Sequence, residues 1–396
     1  MGVAVGLCCQ LARPSPRLKP RWQVRAIAGG LFAGLWIVVA LLALEAAARW
    51  WLEHRVATNP LIQADLRRNT TLTEALDESL WEVQWQQYKR NARLAADVDG
   101  VPHEVRTNSH GFRSPEIPMP KPPGTFRIVC LGGSTTVEGR TNETTYPALL
   151  EARLRERFET DRIEVVNTGV SSVGSAWELE RIEELLDFEP DLVLEYNFVN
   201  DLCWHILPEL RQRQARLLSW ARRSEFLRPQ LVLGPEALRS GIEGVPLANL
   251  GRIGQACRRR DVEFVALSFL RPAPEHVTRE EREFYEWNLR TVWEARELSF
   301  PGYCAAVDFY NHALKALSAR EDFGYLPLAE SLPGASLLFF DICHLTESGI
   351  AAKAEVVSRS LEPLVAARWR RVGSPERGAR RARAEVADQA HLVVIE

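Results

Sequence analysis

Nineteen consecutive residues without a charge, AIAGGLFAGLWIVVALLAL from Ala26 to Leu44, constrain this chain more than any other stretch. A helix needs about 20 residues to cross the hydrocarbon core of a bilayer. A segment apolar on every side suits lipid better than the flank of a soluble core. It is longer than the usual apolar stretch of a secretory signal, although Ala46 to Ala48 resembles a small-residue cleavage site. Arg13, Arg17, Lys19, Arg21 and Arg25 precede the run, and only Arg49 and Arg55 follow it closely. The expectation is a single-pass signal anchor over residues 26–48 that contacts membrane lipid. A basic segment, 1–25, then stays in the cytoplasm, and the rest lies on the extracytoplasmic, periplasmic side. Trp50 and Trp51 fall where an interfacial aromatic belt is expected.

The exported part has the composition of a globular protein, for the whole chain is 46% hydrophobic and 26% charged. A net charge of −3 gives no field for nucleic acid. Seven cysteines are scattered without a C-x-x-C pair, so neither a zinc knuckle nor a thioredoxin-like site is indicated. Residues 49–124 read as a juxtamembrane region, mixed and partly helical up to residue 113. It ends in SPEIPMPKPPG, whose five prolines exclude helix and imply an extended linker or wrap. From there strands and helices alternate. Phe126 to Leu131, Ile163 to Val166, Asp191 to Phe198, Val262 to Phe269 and Ala305 to Phe309 read as strands. Tyr146 to Phe158, Ser175 to Phe188, Leu247 to Arg260, about Arg279 to Leu298, and Leu345 to Arg368 read as helices. Such alternation predicts βαβ units and a parallel sheet covered on both faces.

Ligands of such sheets bind beyond the carboxyl ends of the strands. Three polar or glycine-bearing loops fall there. Ser134, in RIVCLGGSTT, follows the first strand, Gly169 the second and Asn200 the third. Gly-Gly-Ser is ordinary turn chemistry, but a serine at this edge is also placed to be a nucleophile. A nucleophile needs a base, an acid to orient the base, and donors for the oxyanion. His344, in FFDICHLTESG, is the candidate base, and Asp341, three residues earlier, is within reach of its Nδ1. Taken singly, Asp341 also reads as a helix cap, His344 as a loop histidine, Asn200 as an Asx-turn residue and Gly169 as a turn glycine. His205 competes as base but sits in LCWHIL, a helix-like context. Asp201, Cys203 and His205 lack the further ligand pair a metal site needs.

Together, GGS at 132–134, NTG at 167–169, ND at 200–201 and DICH at 341–344 resemble the four blocks of the SGNH/GDSL hydrolase superfamily. The resemblance covers about residues 105 to 366 and includes NSHGFR at 108–113 and HLTESGIAAKA after the histidine. It implies a flavodoxin-like three-layer α/β/α sandwich with a parallel sheet, here at 125–366 and preceded by one transmembrane helix. It implies Ser134 as nucleophile, His344 as base and Asp341 as its orienting acid. Oxyanion donors would be the Ser134 N–H, the Gly169 N–H and the Asn200 amide, and no cofactor or metal is called for. Two positions depart from the pattern. Gly133 stands where the family usually has aspartate, and Phe198 where it usually has glycine.

Residues 202–246 exceed a simple connection and read as a helical insertion, either an extra packed helix or a lid. The Arg-rich tail, 367–396, reads as disordered. The expected function is a serine esterase that cleaves a carboxylic ester, on a small molecule, a glycan or a lipid, through an acyl-enzyme outside the cytoplasm. The alternatives are an O-acyltransferase to a cell-envelope glycan with the same triad, and a catalytically silent glycan-binding scaffold.

Overall fold

The computed structural model describes residues 21–66, 81–82, 87–98, 101–213, 224–227, 233, 235–332 and 334–372. Most of the expected cytoplasmic segment, parts of the insertion and most of the tail lie outside the described residues. The chain divides into two units, Met1–Glu53 and His54–Glu396. The first holds most of helix α1, Arg21–Thr58, which continues into the second. From Gly29 onward α1 is long and apolar enough to cross a membrane. Leu31, Phe32, Leu35, Trp36 and Leu42 stand exposed along it.

The second unit opens with a short helix α2 at 60–66, where Asn59 Oδ1 accepts from the Leu61 and Ile62 N–H groups at 2.9 and 3.2 Å. Two antiparallel hairpins follow: β1 Trp81–Glu82 with β2 Gln87–Tyr88, and β3 Arg93–Val98 with β4 Val101–Arg106. The proline-rich stretch is a wrap anchored on the sheet. The fully buried Arg127 guanidinium donates to the Pro118 carbonyl at 2.9 Å and the Phe188 carbonyl at 2.6 Å. Lys121 Nζ lies 2.7 Å from Asp191 Oδ2.

The sheet strands are β5 Phe126–Gly132, β6 Ile163–Asn167, β7 Leu192–Tyr196, β8 Glu263–Leu267 and β9 Gly324–Leu326. All pair in parallel in the order β6-β5-β7-β8-β9, the flavodoxin-like arrangement. Between β5 and β6 come α3 Ser134–Val137 and α4 Tyr146–Arg157, and between β6 and β7 comes α5 Ser175–Leu186. After β7 come α6 Leu207–Arg213, α7 Pro235–Ile242 and α8 Ala248–Arg259. After β8 come α9 Arg279–Thr291 and α10 Phe300–Glu321, and β9 leads into α11 Leu328–Ser331 and α12 Glu347–Val372. Helices α4 and α12 pack together on one face of the sheet, and α5, α8 and α10 cover the other. Strands buried on both faces explain why β5 and β7 are mainly apolar and not alternating, with only Arg127 and Glu195 as buried charged residues in them. The described parts of the insertion are largely helical, framed by π-helical turns at Asp201–Ile206 and Glu243–Leu247.

One expected strand is wrong. Ala305 to Phe309 lies inside the 22-residue helix α10. The Ser299 hydroxyl caps that helix, accepting from Gly302 N–H at 3.1 Å, and Pro301 occupies its first turn. The last strand is three residues long and pairs on one side only.

Candidate active site

Strand β5 ends at Gly132, whose φ of +154° belongs to glycine, and whose added Cβ would overlap Thr136 Oγ1. Helix α3 starts at Ser134, so the Ser134 N–H sits in a first turn and has no intrahelical acceptor. Ser134 Oγ stands 2.7 Å from His344 Nε2. His344 Nδ1 stands 2.7 Å from Asp341 Oδ2. The other oxygen, Asp341 Oδ1, accepts from the Cys343 and His344 backbone N–H groups at 2.8 and 2.7 Å. One carboxylate thus shapes the loop and aims the ring. With Nδ1–H donating to Asp341, Nε2 is left to accept from the Ser134 hydroxyl.

Burial alone would lower the pKa of His344, but Asp341, with help from Glu138, outweighs it and raises the pKa to about 9. Burial would likewise raise Asp341, yet the His344 charge and the hydrogen bonds it accepts hold its pKa below the ordinary value. A quarter of the imidazole, 26%, reaches solvent.

The three expected oxyanion donors differ in how free they are. The Asn200 amide is buried and gives one hydrogen to the Val173 carbonyl at 2.8 Å, leaving the second. Its Nδ2 lies so close to Gly133 that a Cβ there would overlap it. Glycine in place of the family's aspartate is therefore matched to this amide position. The Gly169 N–H donates to Asn167 Oδ1 at 3.1 Å, within its own turn. Phe198 points into the core, stacked on Tyr310 with ring centroids 4.2 Å apart.

His205 is exposed, so the base competing with His344 sits at the surface. Asp201 turns to Ser175 instead of joining Cys203 and His205, accepting from the Ser175 hydroxyl at 2.9 Å and its N–H at 3.0 Å. Asp341, Cys343 and His344 offer atoms within 4.8 Å of one another. The Asp341–His344 hydrogen bond already accounts for two of them, and burial pushes the Cys343 thiol well up, away from the thiolate a metal would need.

Four supporting residues were given no role by the sequence, although Arg113 and Lys353 fall within the NSHGFR and HLTESGIAAKA stretches. Glu138 Oε2 accepts from the Leu345 N–H at 2.8 Å, tying the serine turn to the histidine loop. Lys353 is fully buried, donates to the Thr135 carbonyl at 2.7 Å and stands 3.6 Å from Glu138 Oε1. Its ammonium lies 4.0 and 3.8 Å from the Tyr146 and Tyr196 ring centres. Burial raises Glu138 to about 6 and lowers Lys353 to about 8. Arg113 donates to the Val137 and Gly139 carbonyls at 2.7 and 2.6 Å. Trp293 stacks on the His344 ring, with centroids 5.8 Å apart and planes at 27°. The available signals were those two stretches and, at Lys353, a lysine in a chain with only five.

The pattern of the GDSL-like lipase/acylhydrolase family matches residues 130–352, more than half of the chain, and spans the serine and the histidine. The chain belongs to that family. It is an ester-bond hydrolase of the GDSL type. Solved structures similar to it include TesA, 20% identical with a TM-score of 0.38, covering 60% of this chain and 99% of TesA. A catalytic mutant of Axe2, an acetylxylan esterase from Geobacillus stearothermophilus, is 15% identical with a TM-score of 0.39, covering 61% of this chain and 96% of that one. A GDSL-like lipase from Bacteroides thetaiotaomicron is 13% identical with a TM-score of 0.35, covering 60% and 88%. No curated protein matches the sequence.

Proposed function

We propose that this GDSL hydrolase is a membrane-anchored serine esterase working outside the cytoplasm, with Ser134 as nucleophile, His344 as base and Asp341 as the group that orients it. The observation that carries the reading is the unbroken chain of two 2.7 Å hydrogen bonds from Ser134 Oγ through the imidazole to Asp341. As Oγ attacks the ester carbonyl, its proton passes to Nε2. The tetrahedral oxygen is stabilised by the Ser134 N–H and the spare Asn200 hydrogen. The Gly169 N–H joins them when the Asn167 side chain releases it. Collapse breaks the bond to the alcohol oxygen, which takes the proton from Nε2. Water then repeats the sequence on the acyl-serine and frees the acid. The excess of basic residues before the apolar run at 26–44 supports the orientation.

The test has two arms. A fluorophosphonate probe should label the full-length protein, and Ser134→Ala should remove both labelling and ester turnover. Retained turnover in Ser134→Ala sinks the mechanism. Protease added to spheroplasts, where it reaches the outer face of the membrane that α1 would span, should digest the domain. Full protection there would reverse the topology.

A further inference from the structure

The serine, its oxyanion donors and the imidazole divide the space around a bound ester. The carbonyl oxygen faces the Ser134 N–H and Asn200. The alcohol half must lie along the imidazole, because His344 Nε2 returns the proton to the alcohol oxygen. What borders the imidazole on this protein is aromatic. Trp293 stacks on it, and Trp204 follows Trp293 with ring centroids 6.4 Å apart and planes at 40°. The series runs from the buried ring, Trp293 at 5% exposure, to the solvent, Trp204 at 41%. Trp204 sits in the π-helical turn Asp201–Ile206 directly after Asn200. Such turns interrupt the helix ladder and occur often at functional sites. The buried indole Nε1 of Trp293 has no hydrogen-bond partner among the described residues, an unsatisfied donor next to the catalytic ring.

We propose that Trp204 and Trp293 form the alcohol subsite of the ester and that this alcohol is a sugar ring. The inference rests on the serine-esterase reading and extends it to the substrate. A pyranose has flat faces of C–H groups rimmed by hydroxyls. Laid on an exposed indole, it buries the C–H face while its hydroxyls stay hydrated. A half-exposed ring at the mouth of a site suits that partner. A long alkyl chain would remain partly wet there and gains nothing from stacking geometry.

The experiment compares Trp204→Ala and Trp204→Phe with the parent, as full-length protein in detergent, on three esters: cellobiose octaacetate, methyl acetate and methyl octanoate. Trp204→Ala should lose about tenfold more kcat/KM on the sugar ester than on methyl acetate. The loss should lie mainly in KM, and Trp204→Phe should recover most of it. An equal loss on all three esters, or a loss greatest on methyl octanoate, overturns the proposal, the latter in favour of an acyl-chain site. Binding supplies a readout independent of turnover. Cellobiose should quench the tryptophan fluorescence of Ser134→Ala and fail to do so in Ser134→Ala/Trp204→Ala. If the parent cleaves none of the esters yet cellobiose quenches in this way, the esterase reading fails and the sugar site stands. If esters are cleaved without such quenching, the sugar site fails alone.

Discussion

With His344 as the proposed base, the pH dependence of the reaction follows from the environment of its ring. Only the neutral imidazole can accept the Ser134 proton. With its pKa at about 9, roughly 1% of the ring is neutral at pH 7. Parent kcat/KM should therefore climb about tenfold per pH unit from pH 6 to 8 and bend near 9. Asp341→Asn removes the charge that outweighs burial, so the bend should fall by about two units or more, to near or below the ordinary 6.5. The same change should lower the plateau by on the order of 10³ to 10⁴, since an asparagine no longer holds the productive tautomer. Glu138 and Lys353 also act on the ring, from the serine turn and from α12, with opposite signs, and both remain in the mutant. Stability follows the same shift. A histidine raised from 6.5 to about 9 stabilises the fold fully below pH 6.5 and loses that contribution as pH rises through 9. The magnitude is at most about 3 kcal/mol, because part of the ring meets solvent. The assay is pH-stat turnover of methyl acetate from pH 5 to 10, with thermal midpoints over the same range. A parent bend at or below 6.5, or an unmoved bend in Asp341→Asn, refutes the reasoning.

Three further outcomes are expected. Gly133→Ala should displace the Asn200 amide and lower kcat by on the order of 10² with KM nearly unchanged, as steady-state kinetics would register. Lys353→Met should destabilise by about 3 kcal/mol by stranding Glu138, whereas Lys353→Met/Glu138→Gln should regain much of that in urea titrations. Burial pushes the Glu178 carboxyl far above its usual range, so its neutral folded form loses stability as pH rises above 4.5. Glu178→Gln should then raise the thermal midpoint at pH 8 and leave it nearly unchanged at pH 4.

What the sequence revealed and what it hid have physical causes. Strands β5 to β8 are buried on both faces, so they are written as compact apolar runs bounded by turn residues. Gly324–Leu326 carries too little sequence to announce a strand and pairs on one side only, while Ala305 to Phe309 mimics one inside a capped helix. Ser134, Asp341 and His344, which the structure joins by two hydrogen bonds, could be picked out because the proposed roles require that order and spacing. Glu138, Lys353 and Trp293 could not, because each acts through a contact between segments far apart in sequence. Lys353 even reads as a surface residue of α12, since nothing local to it reveals Tyr146 and Tyr196 on either side. The partner of the Gly169 N–H was equally hidden, for it depends on the rotamer of Asn167.

The hydrogen bond between Ser134 and His344 closes a loop of 210 positions. The serine lies at the end of β5, which needs both β6 and β7 beside it, and the histidine arrives just before α12, which must dock on α4. Local helices can form early on refolding, but a contact of such long range forms after the sheet between its ends is assembled. Far-ultraviolet ellipticity should thus return before reactivity towards a fluorophosphonate. A chain cut before residue 341 should bury most of the sheet and remain inert. On the proposed reading, the reactivity of Ser134 is in this sense a proofreading signal, which reports that the final helix has been put in place.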